Sequence, residues 1–123
     1  MSGVLIPITS RTTANAYFRQ VLFTGAHMQI VVMALRPSED IGMETHDVDQ
    51  FFYIETGEVT AITDGSEQRL TPGSALIVTA GTEHNIINRS TSSPAKLFTV
   101  YAPPQHAEGT VHATKVDAIK DEG

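Results

Sequence analysis

A chain of 123 residues with 41% hydrophobic and 18% charged residues has room for one domain built on one core. Its net charge of −6 argues against nucleic acid or an anionic membrane as a partner, and the absence of cysteine excludes disulfides, thiolate metal ligands and a Cys nucleophile. No apolar run approaches the roughly 20 residues that span a bilayer, and Val4-Leu5-Ile6 is too short for a signal-peptide core, so a cytoplasmic location is expected.

In chain order, residues 1–17 carry Ser, Thr, Asn and Pro and read as a loose lead-in. Phe18–Thr24 and Met28–Leu35 are β-rich runs separated by Gly25-Ala26-His27, a hairpin or tight corner in which His27 is a turn residue. Phe51–Ile54 and Val59–Thr63 follow, with Gly57-Glu58 between them. Asp64-Gly65 is the strongest hairpin signal in the chain. Arg69–Thr71 leads into Pro72-Gly73, and Ala75–Thr79, His84–Asn88 and Lys96–Tyr101 complete a set of eight or nine short strands. No window outside the last few residues has helical periodicity, and such a pattern means an all-β sandwich or barrel. After Tyr101 the composition changes to Pro, Gly and His, and residues 102–123 read as an extended tail that packs on the barrel or on a second subunit.

Two of the five histidines sit in informative contexts. In Glu44-Thr45-His46-Asp47-Val48-Asp49-Gln50, period-two alternation puts Glu44 and His46 on one face, and Gln50 returns to it after a short turn. In Gly81-Thr82-Glu83-His84 a tight turn delivers His84 to the start of a strand. Asp47 and Asp49 are expected in a solvated turn rather than in catalysis, and His106 and His112 are tail histidines. If Gln50 points inward, Phe52 and Ile54 follow it and Ile86 follows His84, which gives a small-molecule pocket an apolar floor.

These residues resemble the two signature motifs of the cupin family. The first motif runs His, one residue, His, three or four residues, Glu, six residues, Gly. Glu44 stands at its first His position, His46 at the second, Gln50 at the Glu position, and Gly57 ends it. The second motif is matched at every spacing by Gly73, Thr79, Gly81, His84 and Asn88, with Thr79 in place of Pro. The resemblance covers residues 18–101 and extends to a group of small bacterial cupins described as mannose-6-phosphate-isomerase-like. It implies a single-domain cupin jelly-roll β-barrel.

It also implies one divalent metal ion (Fe, Mn, Ni or Zn) at Glu44, His46, Gln50 and His84, where other family members use three His and one Glu. Glu44, His46 and His84 form a two-histidine, one-carboxylate set, with Glu44 a ligand or a base beside the metal and Gln50 a fourth donor or an orienting group. The implied function is action on a small organic molecule by isomerase, lyase or dioxygenase chemistry, or non-enzymatic binding of one. A homodimer is expected because the edge strands of such a barrel need covering.

Overall fold

The computed structural model describes residues 3–122, so the ends of the lead-in and tail lie outside the described residues. In chain order the elements are α1 (Ile8–Ala14), β1 (Arg19–Thr24), β2 (Gln29–Leu35), β3 (Asp49–Thr56), β4 (Val59–Thr63), β5 (Ser66–Leu70), β6 (Ala75–Val78), β7 (His84–Asn88), β8 (Ala95–Ala102), β9 (Val111–His112) and α2 (Lys115–Glu122). The strands form two open sheets, a six-stranded one in the order β6-β3-β8-β2-β1-β9 and a three-stranded one in the order β5-β4-β7. The expectation holds as a mostly-strand fold, and among the described residues no hydrogen-bonded ladder closes the two sheets into one barrel.

Alternation explains how the sheets meet. On β3, Gln50, Phe52 and Ile54 are buried while their neighbours are partly or fully exposed, and on β8 Ala95, Leu97, Thr99 and Tyr101 are buried in the same way. These faces join Val59 and Ala61 of β4 and Ile86 of β7 in a single core cluster. Full burial of each such branched or aromatic side chain contributes about 1.5–3 kcal/mol. β2 is buried nearly throughout, because α1 packs on the far face of β2, β3 and β8.

The turns behave as their residues dictate. Asp64 and Gly65 both take positive φ, 47° and 84°, as a two-residue hairpin between β4 and β5 requires. Gly57 links strands of different sheets at φ 87°, and a Cβ there would lie 3.0 Å from the Pro94 carbonyl oxygen and 3.1 Å from the Ala95 Cα. Both the backbone conformation and the space call for glycine. Asn88 closes the second motif structurally. Its buried Nδ2 donates to the carbonyls of Leu35, Arg36 and Ser93, and its Oδ1 accepts from Ser90 N.

Two expectations are corrected. The lead-in is not wholly loose, since Ile8–Ala14 form a helix whose buried Thr12 seats it. The tail is not simply extended. Val111–His112 pair with β1, and residues 115–122 form α2. Within the chain, His112 and Val111 of the tail pair with Arg19 and Gln20 at the start of β1.

Candidate metal and ligand site

The segment before β3 is tied to β7 along its length. Ile41 N donates to the Ile86 carbonyl, and Glu44 and His84 exchange backbone hydrogen bonds of 2.8 and 2.9 Å as an isolated antiparallel bridge. Asn85 fastens the same segment by accepting from Gly42 N and donating to Asp40. Directly paired residues project to one side of a ladder, so Glu44 and His84 share a face. The turn before β7 holds the next piece, because Gly81 N donates to the His46 carbonyl at 2.8 Å and Ala80 N to Asp49 Oδ1 at 2.9 Å. Asp49 is therefore a structural turn residue on the surface, while Asp47 is exposed.

This scaffold brings the two motif histidines side by side, with ring centroids 5.5 Å apart. Glu44 Oε2 lies 3.2 Å from His46 Nε2, close enough for an ion pair but not aligned as a hydrogen bond, so the nitrogen keeps no hydrogen-bond partner. His84 is 3% exposed, its Nδ1 donates to the Thr82 carbonyl at 2.9 Å, and its Nε2 is buried without a partner. With the proton on Nδ1, the Nε2 lone pair is the one free to bind. Gln50 is 4% exposed; its Nε2 donates to Thr99 Oγ1, and its Oε1 is likewise buried without a partner. Burial opposes ionisation of Glu44, but the contact with His46 and the charges around it win, and its carboxyl is held below the usual value.

Among the described residues, no three His, Asp or Glu side chains converge closely enough to enclose an ion by themselves. A complete set therefore needs the Gln50 oxygen or atoms of a bound ligand, with Glu44 turned from His46 toward the ion. The expected apolar floor is core. Phe52, Ile54 and Ile86 are 0–1% exposed, and of these the Phe52 ring meets His84 edge-on at 6.0 Å.

A Cupin domain family model matches residues 31–101, from within β2 to within β8, a segment that carries Glu44, His46, Gln50 and His84. The chain belongs to the cupin family. This cupin is 43% identical over 125 residues to the Bacillus subtilis protein YrkC, covering 96% of this chain and 67% of YrkC. It is 39% identical over 111 residues to protein L612 of Acanthamoeba polyphaga mimivirus, covering 87% of this chain and 69% of L612. Its fold superposes on the crystal structure of BH2720 from Bacillus halodurans with a TM-score of 0.93 and 36% identity, covering 97% of this chain and 95% of that one.

Sequence reasoning passed over the far wall of the site. In this cupin Tyr101, buried on β8, meets the His46 ring edge-on at 5.9 Å, and His106 meets Tyr101 at 5.2 Å with Nε2 3.3 Å from the phenol oxygen. Burial keeps the phenol well above its usual pKa, so Tyr101 stays protonated. A cleft of about 280 Å³ opens over this wall, lined among others by Glu44, His46, His106, His112 and Glu122. The tail histidines could have been placed only with β9 known, since β9 brings the tail back beside β1.

Burial, reinforced by the nearby Arg19 charge, pushes His106 down to about 4. Its pKa in the unfolded chain is about 6.5, so between pH 6.5 and 4 the unfolded chain binds the extra proton. Stability contributed by neutral His106 is thus present above pH 6.5 and is lost as the pH falls toward 4. Discounted for partial exposure, the loss is about 1–2 kcal/mol. Thermal unfolding against pH should show this slope in the native chain and a flatter one in His106→Asn, and identical slopes would refute it.

Proposed function

We propose that this cupin is a metal-dependent protein that acts on a small organic molecule, with one divalent ion held by His46, His84 and Glu44 and completed by Gln50. One observation carries the reading. Of the five buried side-chain polar atoms without a partner among the described residues, three belong to His46, Gln50 and His84. An unpaired buried donor or acceptor costs about 1–3 kcal/mol, so three such atoms at motif positions favour a bound group that pairs them. Gln50 Oε1 and His84 Nε2 present lone pairs, as does His46 Nε2 in the tautomer with its proton on Nδ1, a donor set that suits Fe, Mn, Ni or Zn.

When bound, the ion supplies Lewis-acid polarisation of a ligand oxygen or, as iron, access to O2 chemistry. The chain supplies the rest. Thr82 fixes the His84 tautomer, Thr99 fixes the Gln50 amide, and Glu44 contributes the negative charge beside the ion. His106 lines the cleft, and Tyr101, buried behind it against His46, holds its proton.

Glu44→Gln should lower metal affinity tenfold or more if Glu44 is a ligand, each decade being about 1.4 kcal/mol. If Glu44 is instead a base beside the metal, the same change should spare metal uptake and abolish turnover. Gln50→Glu places a carboxylate where other family members carry one and should tighten binding. Metal titration of the two variants is the measurement, and unchanged affinity in both would leave two histidines and sink the four-residue site.

A further inference from the structure

Arg19 also carries a buried polar atom without a partner, its Nε, and the metal reading makes no use of it. Its side chain is 2% exposed and shares the inward face of β1 with Val21. The guanidinium lies over the Phe18 ring at 5.3 Å, and Nη1 donates to His112 Nδ1 at 3.2 Å and to Glu122 Oε1 at 3.3 Å. A guanidinium stays charged at any working pH, and burying it is costly unless a fixed anion opposes it. Here the carboxylate bonded to it is 55% exposed and sits at the end of α2. His112 repeats the arrangement, with Nε2 2.9 Å from Asp121 Oδ2, whose side chain is 68% exposed. Two buried groups are thus covered by two carboxylates that are themselves more than half exposed.

A second cleft, of about 330 Å³, is lined among others by Arg19, Glu44, Lys115, Ile119 and Glu122. Glu44 and Glu122 line both this cleft and the one that reaches His46. Withdrawing Glu122 would join Arg19 to the His46 cleft.

We infer that Arg19 anchors the carboxylate of a small organic acid bound beside His46, and that Glu122, bonded to Nη1, covers the guanidinium until the acid displaces it. The unpartnered Nε together with an Nη presents the fork that two carboxylate oxygens match. A carboxylate is favoured over a phosphate because a carboxylate already bonds Nη1 of the same guanidinium. A phosphate would concentrate two negative charges on one group beside Glu44, Asp121 and Glu122. The inference rests on the proposed function only for where the acid lies; its contact with Arg19 belongs to the chain itself.

Calorimetry on the full-length, chelator-treated protein, with NMR of the arginine Nε–H signals, tests it using succinate, uncharged succinamide and inorganic phosphate. Succinate should bind and move the Arg19 signal, and succinamide should not. Glu122→Gln should tighten succinate binding about tenfold by removing the competitor. Arg19→Gln should abolish it. Arg19→Lys keeps the charge and the fold but loses the fork, and should weaken it about tenfold. Equal binding of succinamide, tighter binding of phosphate, or no effect of Glu122→Gln would overturn the inference. Repeating the series on His84→Ala separates the two readings. Arg19-dependent succinate uptake without any metal uptake by the native chain sinks the metal alone. Normal metal uptake with no effect of Glu122→Gln sinks the carboxylate anchor alone.

Discussion

Replacing His84 by alanine should lower divalent-metal affinity at least a hundredfold, about 2.7 kcal/mol, and leave the fold in place. The two halves of the expectation have different origins. The fold survives because the part of His84 that organises the segment before β3 is its backbone, bonded to Glu44 in both directions. The ring adds an edge contact with Phe52 and one bond to the Thr82 carbonyl, while its buried Nε2 is unpaired. Removing that ring therefore sheds an unsatisfied atom along with the packing. The affinity falls because no other described side chain replaces the lone pair. Metal content after dialysis and the far-ultraviolet spectrum are the measurements. Native metal content in the variant would remove His84 from the site. Because imidazole binds only when unprotonated, uptake by the native chain should also weaken on acidification.

The second motif was readable because its spacing places turns and the start of a strand. Gly73 and Gly81 take positive φ at turns, which spacing along the chain can locate. The partners were not readable, since Gly81 N reaches the His46 carbonyl and Asn88 reaches Leu35 and Arg36 as well as Ser90 and Ser93. The β4 run was legible from its own alternation, since Val59 and Ala61 are buried on either side of a half-buried Thr60. Arg19 was not legible. One cation in Arg-Gln-Val-Leu-Phe-Thr looks like the solvated end of a strand, and only the pairing of β9 with β1 brings His112, and with it α2, over that end. The helix α1 escaped because its segment Ile8–Ala14 holds three threonines and a serine, poor helix formers that gain their helical state from packing on β8 and β3.

The same dependence on distant pairing makes one buried amide a tie for the loop that precedes β9. Gln29 is fully buried at the start of β2, and each end of its amide is used twice. Nε2 donates to Thr24 Oγ1 at 2.9 Å and to the His106 carbonyl at 2.8 Å. Oε1 accepts from Gln105 N at 3.1 Å and from His106 N at 2.9 Å. Three of the four bonds satisfy backbone groups of the loop that carries His106 over the cleft. Gln29→Leu keeps the side-chain volume and deletes all four bonds. At about 0.5–1.5 kcal/mol each, the loss is about 2–6 kcal/mol, or about 10–20 °C in Tm for a chain of this size. The loop backbone is near the surface and recovers some bonding from water, but only by lifting away from β2. Amide exchange at Gln105, His106 and the β9 residues should therefore accelerate more than exchange in β3 or β8, and the His106 contact with Tyr101 should be lost with it. Gln29→Glu separates bonding from shape. It keeps an acceptor for the two loop amides but removes the donor to the His106 carbonyl and buries a charge, so it should destabilise at least as much as leucine. A Tm within about 2 °C of native in Gln29→Leu, with loop exchange unchanged, would mean that β9 and α2 hold the tail without this amide.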